Sequence, residues 1–349
     1  MKKIVQILPK YCVGGAEKIT YTLCEKLKRK NSVFLIILGD KEEKDFVSKN
    51  INIIFLKKKS GMSLKCFLKL FFTLLKIKPD IVHTHLTSLE YAGPISFFLK
   101  AKFFHTIHNM AEKDQERFIA IFLRKLYFSF FVTPITISDK CSKSYRDFYS
   151  LQNDIQIKNA IDYPKVNFKN FDGKLSIVHI AGIFENKNQL YLAKEVKNFN
   201  NENQRKIILH FYGEIRNSNY FEELENYFDQ HITYKGLSEN IYESLNYYNY
   251  SILASHYEGL PLSLMESMSQ GLIPISTNVG GISELFSNNE GFLFDLDEKE
   301  GLKNIFNKIL HLSEKEYLNR SKLCIEKAER DFSINSFFAK HSNLYEINF

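Results

Sequence analysis

Short apolar runs alternate with longer stretches of helical spacing along the first half of the chain. Runs at 3–8, 33–38, 51–55, 81–84, 102–107 and 135–137 read as strands, and stretches at 16–27, 63–76, 90–99, 115–130 and 139–149 read as helices. The run Ile4-Val5-Gln6-Ile7-Leu8 is apolar at nearly every position, as a strand covered on both faces must be. With helical crossovers between such strands, the rhythm predicts a parallel sheet packed between helical layers. A second series of the same kind begins near Leu175, with strands at 176–181, 207–212, 232–234, 251–254 and 273–277 and helices at 189–199, 220–228 and 262–269. Past Asp295 the spacing is helical, at 299–312, 314–329 and 333–345.

The polar stretch 167–174, which contains Asp172-Gly173, separates the two series and is expected to be a linker. The expected organisation is a first α/β domain at 1–166, a second at 175–330 and a helical segment at 331–349, for which a return to the first domain is one path. No apolar run reaches the roughly 18 residues of a membrane-spanning helix. Met1-Lys2-Lys3 leads into the first strand rather than into a signal sequence.

Composition changes this picture little, and charge changes it more. The 349 residues are 44% hydrophobic and 25% charged with 7 Pro, the makeup of a folded protein. Five scattered cysteines, Cys12, Cys24, Cys66, Cys141 and Cys324, argue against a disulfide scaffold or a metal cluster and fit a reducing cytoplasm. Residues 1–170 hold 30 Lys or Arg against 15 Asp or Glu, and residues 171–349 hold 17 against 25, so a half of charge +15 precedes one of −8. A basic half attracts nucleic acid, an anionic membrane or a phosphorylated acceptor, and charge alone does not choose among them. Within it, the segment 64–78 sets Lys65, Lys69 and Lys76 among Leu64, Phe67, Leu68, Phe71 and Phe72, after Lys57-Lys58-Lys59. On a helix this pattern makes either a membrane-interface face or a core-facing helix with a solvated edge.

Candidate chemistry starts weakly and grows denser. Gly14-Gly15-Ala16-Glu17 lies between a strand and a helix, where paired glycines let backbone approach phosphate at a helix N-terminus and equally serve a tight structural turn. The spacing is neither that of a Walker phosphate loop nor that of a GxGxxG fingerprint, which argues against an ATPase and an NAD-dependent oxidoreductase. Further on stand Ser255-His256-Tyr257-Glu258-Gly259-Leu260-Pro261-Leu262-Ser263-Leu264-Met265-Glu266, then Gly271-Leu272-Ile273-Pro274, then Gly280-Gly281-Ile282-Ser283-Glu284. These motifs resemble the EX7E signature region of the retaining family 4 glycosyltransferases, and the resemblance extends over most of the chain.

The resemblance implies a GT-B fold: an α/β protein of two Rossmann-like domains facing across an interdomain cleft, with the acceptor on the first and a nucleotide-diphospho-sugar donor on the second. It implies that Glu258 contacts donor-sugar hydroxyls and that Glu266 binds the nucleotide ribose. Gly259, Leu260, Pro261 and Leu262 would offer the donor a turn and a helix start, although Pro261 has no amide hydrogen. The segment 180–189 resembles one that supplies an Arg and a Lys to the diphosphate; Lys187 is present, and Gly182 stands in the Arg position. His108 resembles a first-domain histidine that helps place the donor sugar, with Gly15 approaching the donor from the same domain. Catalytic roles are thus expected of His108, Lys187 and Glu258, while His83 and His85 either line the acceptor side or pack at a strand end.

The implied reaction is transfer of a sugar, with retention of configuration, from a nucleotide-diphospho-sugar to a cell-envelope or surface glycan intermediate, as in lipopolysaccharide or capsule assembly. A glycan or a lipid-linked glycan is the expected acceptor. No metal and no cofactor is required, nucleic acid is not an expected partner, and an anionic membrane on the cytoplasmic side is a candidate surface. Two alternatives stay open: a non-catalytic module of the same scaffold that binds sugar nucleotides or glycans, and a sugar-nucleotide epimerase.

Overall fold

A computed structural model describes residues 1–41, 51–59, 61–115, 117–164, 171–238 and 240–346. Two units emerge, Met1–Asn159 together with Ile334–Phe349, and Ala160–Ser333. The polar stretch 167–174 falls inside the second unit, and its residues 167–170 lie outside the described residues.

The first unit is built on β1 (Lys3–Leu8), β2 (Ser32–Ile37), β3 (Asn52–Phe55), β4 (Ile81–His85), β5 (Lys102–Ile107), β6 (Val132–Thr136) and β7 (Ile155–Gln156). They form a parallel sheet in the order β3-β2-β1-β4-β5-β6-β7. Val5, Ile7, Ile36, Val82 and Phe103 turn into a core closed by Leu70, Leu74, Tyr127, Phe128 and Tyr145 from the flanking helices. The second unit repeats the plan with β8 (Leu175–Ile180), β9 (Ile207–Tyr212), β10 (Ile232–Tyr234), β11 (Tyr250–Leu253), β12 (Ile273–Thr277) and β13 (Phe292–Phe294), ordered β10-β9-β8-β11-β12-β13 and parallel throughout. Each sheet is flanked by helices, giving two Rossmann-like units. In each, strand order reverses once, beside β1 and β4 in the first sheet and beside β8 and β11 in the second. Loops leaving neighbouring strand ends diverge there, and the opening at the carboxyl ends is where such sheets bind ligands.

Several elements differ from the sequence expectation. The helix expected at 90–99 is a short turn of helix, Leu89–Ala92, followed by a 3-10 turn, Pro94–Phe97. Pro94 has no N–H to continue the ladder. The helix expected at 115–130 spans Phe118–Phe130, since Gln115 is extended (φ −150°, ψ 125°) and ends a separate turn, Ala111–Asp114. That turn is fixed by Arg124, buried and paired with Asp114 and, at 2.8 Å, with Glu90.

The helix Ile334–Leu344 belongs to the first unit, and Tyr345 beyond it is fully buried there. Its hydroxyl lies 2.5 Å from His83 Nδ1 and accepts from Gln6 Nε2 at 3.2 Å, while its carbonyl accepts from Lys2 Nζ at 2.7 Å.

Candidate functional site

The reversal in the second sheet brings together two segments far apart in sequence. The chain leaving β8 runs through Gly182 into a single 3-10 turn, Glu185–Lys187, and the chain leaving β11 runs through Ser255 to Glu258. Asn186 clamps them, donating from Nδ2 to Tyr257 O at 3.2 Å and accepting from His256 N at 2.9 Å. Lys187 Nζ then reaches Glu258 Oε1 at 2.6 Å, and Ser255 Oγ donates to the same oxygen at 2.7 Å. Glu258 is buried and Lys187 half-buried, so the pair sits where charges interact more strongly than on an open surface.

The segment after Glu258 is equally constrained. Gly259 and Leu260 are buried, and Pro261 precedes the helix Leu262–Ser269, which carries Glu266. Pro261 adopts φ −71° and ψ 120°, suited to entering a helix. Gly280 packs over this turn with φ +52°, and a Cβ there would fall 1.7 Å from Glu258 O. Only glycine fits, and Gly281 N completes the contact by donating to Gly259 O at 2.9 Å. Glu266 is buried, and the Tyr242 phenol is pushed up by its own burial and then by the nearby Glu266. His179, at the end of β8, is pushed down to about 3 by burial and by the Lys187 cation, so it is neutral.

In the first unit, the residues singled out by sequence gather at the carboxyl ends of β1, β4 and β5. Gly15 is exposed at the first position of the helix Gly15–Leu27. His108 follows β5, half-buried, with its Nε2 3.0 Å from His85 Nδ1. His85 Nε2 lies 2.8 Å from Gln6 Oε1, and His83 Nε2 2.8 Å from Thr106 Oγ1. Burial pushes His108 down to about 4, opposed by Asp114, and pushes His83 and His85 well below the usual histidine range. His83 and His85 are buried, His83 with both ring nitrogens on interior partners and His85 held between Gln6 on one side and the half-buried His108 on the other. Alternation along β4 points both the same way, and that side is filled by Gln6, Thr106 and Tyr345.

The first unit also presents an apolar face. The helix Leu64–Ile77 buries Cys66, Leu70, Leu74 and Ile77 and exposes Leu64, Leu68, Phe72 and Leu75 beside the exposed Lys65, Lys69 and Lys76. It is therefore core-facing on one side and apolar on the other. The helix Phe118–Phe130 exposes Phe118 (83%), Ile119, Phe122, Leu123 and Phe130. Ring contacts of Phe71 with Phe98 at 6.2 Å and of Phe97 with Phe131 at 4.1 Å link the two helices through the turn between them. Among the described residues, no helix is long and apolar enough to cross a membrane, and no group of His, Cys, Asp and Glu is placed to hold a metal ion.

Sequence reasoning did not give Ser255, Asn186 or Gly280 their parts in this arrangement. A serine three residues before an acid and a glycine beside another glycine are the signals they leave.

Comparison with known proteins agrees with this architecture. The family model described as glycosyltransferase family 4 matches residues 13–162, and the one described as glycosyl transferases group 1 matches residues 164–330. Among curated proteins, the chain is 25% identical to UDP-Gal:alpha-D-GlcNAc-diphosphoundecaprenol alpha-1,3-galactosyltransferase of Escherichia coli, over 81% of this chain and 79% of that one. It is 26% identical to the capsular polysaccharide biosynthesis glycosyltransferase CapH of Staphylococcus aureus, over 85% and 87%. The crystal structure of Anabaena Alr3699/HepE in complex with UDP and glucose shares the fold, with a TM-score of 0.85 at 13% identity over 99% and 100% of the two chains. With both family models in chain order over two parallel, helix-flanked sheets, the chain belongs to the GT-B glycosyltransferases of the group 1 and family 4 kind, enzymes that transfer sugars.

Proposed function

We propose that this enzyme takes its sugar from a nucleotide-diphospho-sugar held by the second unit and passes it, with retention, to a glycan intermediate of the cell envelope or surface, lipid-linked in the form we favour. The observation that carries this reading is the Lys187–Glu258 pair at the strand-order reversal, with Ser255 on the same carboxylate oxygen. Lys187 is the cation for the diphosphate, Glu258 the acceptor of donor-sugar hydroxyls, Glu266 the ribose ligand, and the Gly259–Leu262 turn the backbone beneath the donor. His108, neutral at physiological pH, orients the sugar from the first unit, and Gly15 offers backbone approach at a helix start.

In the transfer, the bond from the anomeric carbon to the phosphate oxygen breaks while the acceptor oxygen bonds to that carbon on the same face. The acceptor proton passes to the departing diphosphate oxygen, and Lys187 stabilises the charge that collects there. Glu258 serves recognition rather than nucleophilic attack, because Lys187 and Ser255 both engage its Oε1. No metal is assigned a part in this scheme.

The relatives support the substrate classes: one is named for a UDP-galactose donor and a diphosphoundecaprenol-linked acceptor, the other for capsular polysaccharide. The apolar, lysine-edged face of the first unit suits an anionic membrane such as the cytoplasmic leaflet, where a lipid-linked acceptor would reside.

The test is incubation of the purified protein with UDP- and GDP-sugars and envelope glycolipids, read by product mass and anomeric NMR. A new glycoside with the donor's configuration is expected. Donor isomerisation without transfer would indicate an epimerase, and donor binding without turnover on a native acceptor a binding module.

A further inference from the structure

Gly182 opens the segment that carries Lys187, and any side chain at that position would meet Arg216. A Cβ on Gly182 would fall 2.8 Å from Arg216 Nε, 2.9 Å from Cδ and 3.3 Å from Cζ. The space into which residue 182 would project is taken by the guanidinium end of a residue 34 positions later. Backbone pairing holds the two together: Ile183 and Ile215 form a parallel bridge, Ile183 N donates to Glu214 O at 2.8 Å, and Arg216 N donates to Ile183 O at 3.1 Å. The guanidinium carbon lies 5.7 Å from the Phe184 ring centroid, which gives the group a face to rest on.

Electrostatics give this placement a use. Lys187 is shared with the buried carboxylate of Glu258 at 2.6 Å, so Lys187 alone leaves most of a diphosphate's charge for a second cation to meet. Arg216 Nε is 3.3 Å from Glu214 Oε2, and both of those side chains are more than a third exposed. Such a solvent-screened pair is weak, and a multiply charged anion offers a guanidinium two parallel charge-assisted hydrogen bonds.

We propose, resting on the reading of the second unit as the donor site, that Arg216 is a second diphosphate-binding cation and that residue 182 is glycine because Arg216 occupies the place of its side chain. Arg216 approaches the diphosphate from β9's side of the segment, and Lys187 approaches it from the 3-10 turn.

The experiment is calorimetric titration of the full chain with UDP, GDP and UMP. A hydrogen-bonded charge contact predicts that Arg216→Ala weakens UDP about 10- to 100-fold, with a much smaller effect on UMP, while Arg216→Lys falls between. Gly182→Arg alone forces a second arginine into filled space and weakens UDP. The exchange Gly182→Arg with Arg216→Gly returns UDP binding to within about threefold of wild type, as expected of two sites that share one space. Wild-type UDP affinity in Arg216→Ala, alongside weakened binding in Lys187→Ala, would overturn the assignment and leave the donor site standing. Equal loss of UDP and UMP would also overturn it, since a collapsed loop does not discriminate between them. If wild type bound neither UDP nor GDP, the donor-site reading would fall first and this assignment with it.

Discussion

The first unit leaves Leu64, Leu68, Phe72, Phe97, Phe98, Phe118, Ile119, Phe122 and Phe130 exposed, clustered on two helices and the turn between them, whereas the second unit exposes Ile215, Leu237, Tyr247 and Leu318, scattered along its sequence. Isolated apolar residues on a surface need no explanation, but a contiguous patch of aromatic rings does. The charges divide the same way, with 29 Lys or Arg against 15 Asp or Glu in the first unit (+14) and 18 against 25 in the second (−7). One plan of parallel sheet and helices thus carries two different surfaces. The unit with the acidic, well-covered surface brings the Lys187–Glu258 pair together at a strand-order reversal, and the basic, greasy unit offers a broad face.

The largest effects expected from breaking this division lie in the second unit. Lys187→Ala, Glu258→Ala and Glu266→Ala should each reduce transfer about 100- to 1000-fold, the scale of losing one charge-stabilising contact in a preorganised site, and leave vesicle binding unchanged. Normal kinetics in all three would dissolve the proposed site. A smaller effect is expected in the first unit. Lys65→Glu with Lys69→Glu should weaken flotation with anionic vesicles at least about tenfold, given roughly 1 kcal/mol per basic residue near the surface, while UDP binding stays as in wild type. Absence of wild-type flotation, or indifference to charge reversal, would remove the membrane from the account.

The smallest contrast concerns acid. The first unit buries His83, His85, His105 and His341 and half-buries His108, all pushed below their usual range by desolvation, with His108 and His341 at about 4. The second unit has His179 at about 3 and His210 at about 4. A histidine depressed on folding is neutral in the native state and protonates first in the unfolded state. Its stabilising contribution is therefore present above the ordinary value near 6.5 and drains away as pH falls toward about 4. Hydrogen exchange, corrected for intrinsic rates, should show peptides of β4 and β5 losing more protection between neutral pH and pH ~5 than peptides of β8 and β11. Equal losses would contradict the contrast.

Much of this was legible in the chain. Most strands are short apolar runs between helices, and a parallel sheet needs that pattern. What escaped were elements too short for periodicity, such as β7 and β13, and helices stopped by local chemistry at Pro94 and Gln115. For the site, Glu258 and Lys187 could be nominated by motif, but their contact across 71 positions depends on which strands are neighbours, and strand order is not a local property. The burial of His83 was not readable either, because the partner that draws it inward, Tyr345, lies 262 residues away.

That distant tyrosine has a consequence for how the protein is made. Tyr345 fills the middle of the first unit, against Lys2, Gln6 and His83, yet the ribosome reaches it after all of residues 160–333. At about 5–20 residues per second, those 174 residues occupy the ribosome for roughly 9–35 s. During that interval the first unit waits without its last core piece, its aromatic face already out, while the second can finish folding. The unit synthesised first is thus the one completed last, and the nascent chain has a timed window in which a membrane or a chaperone can meet it.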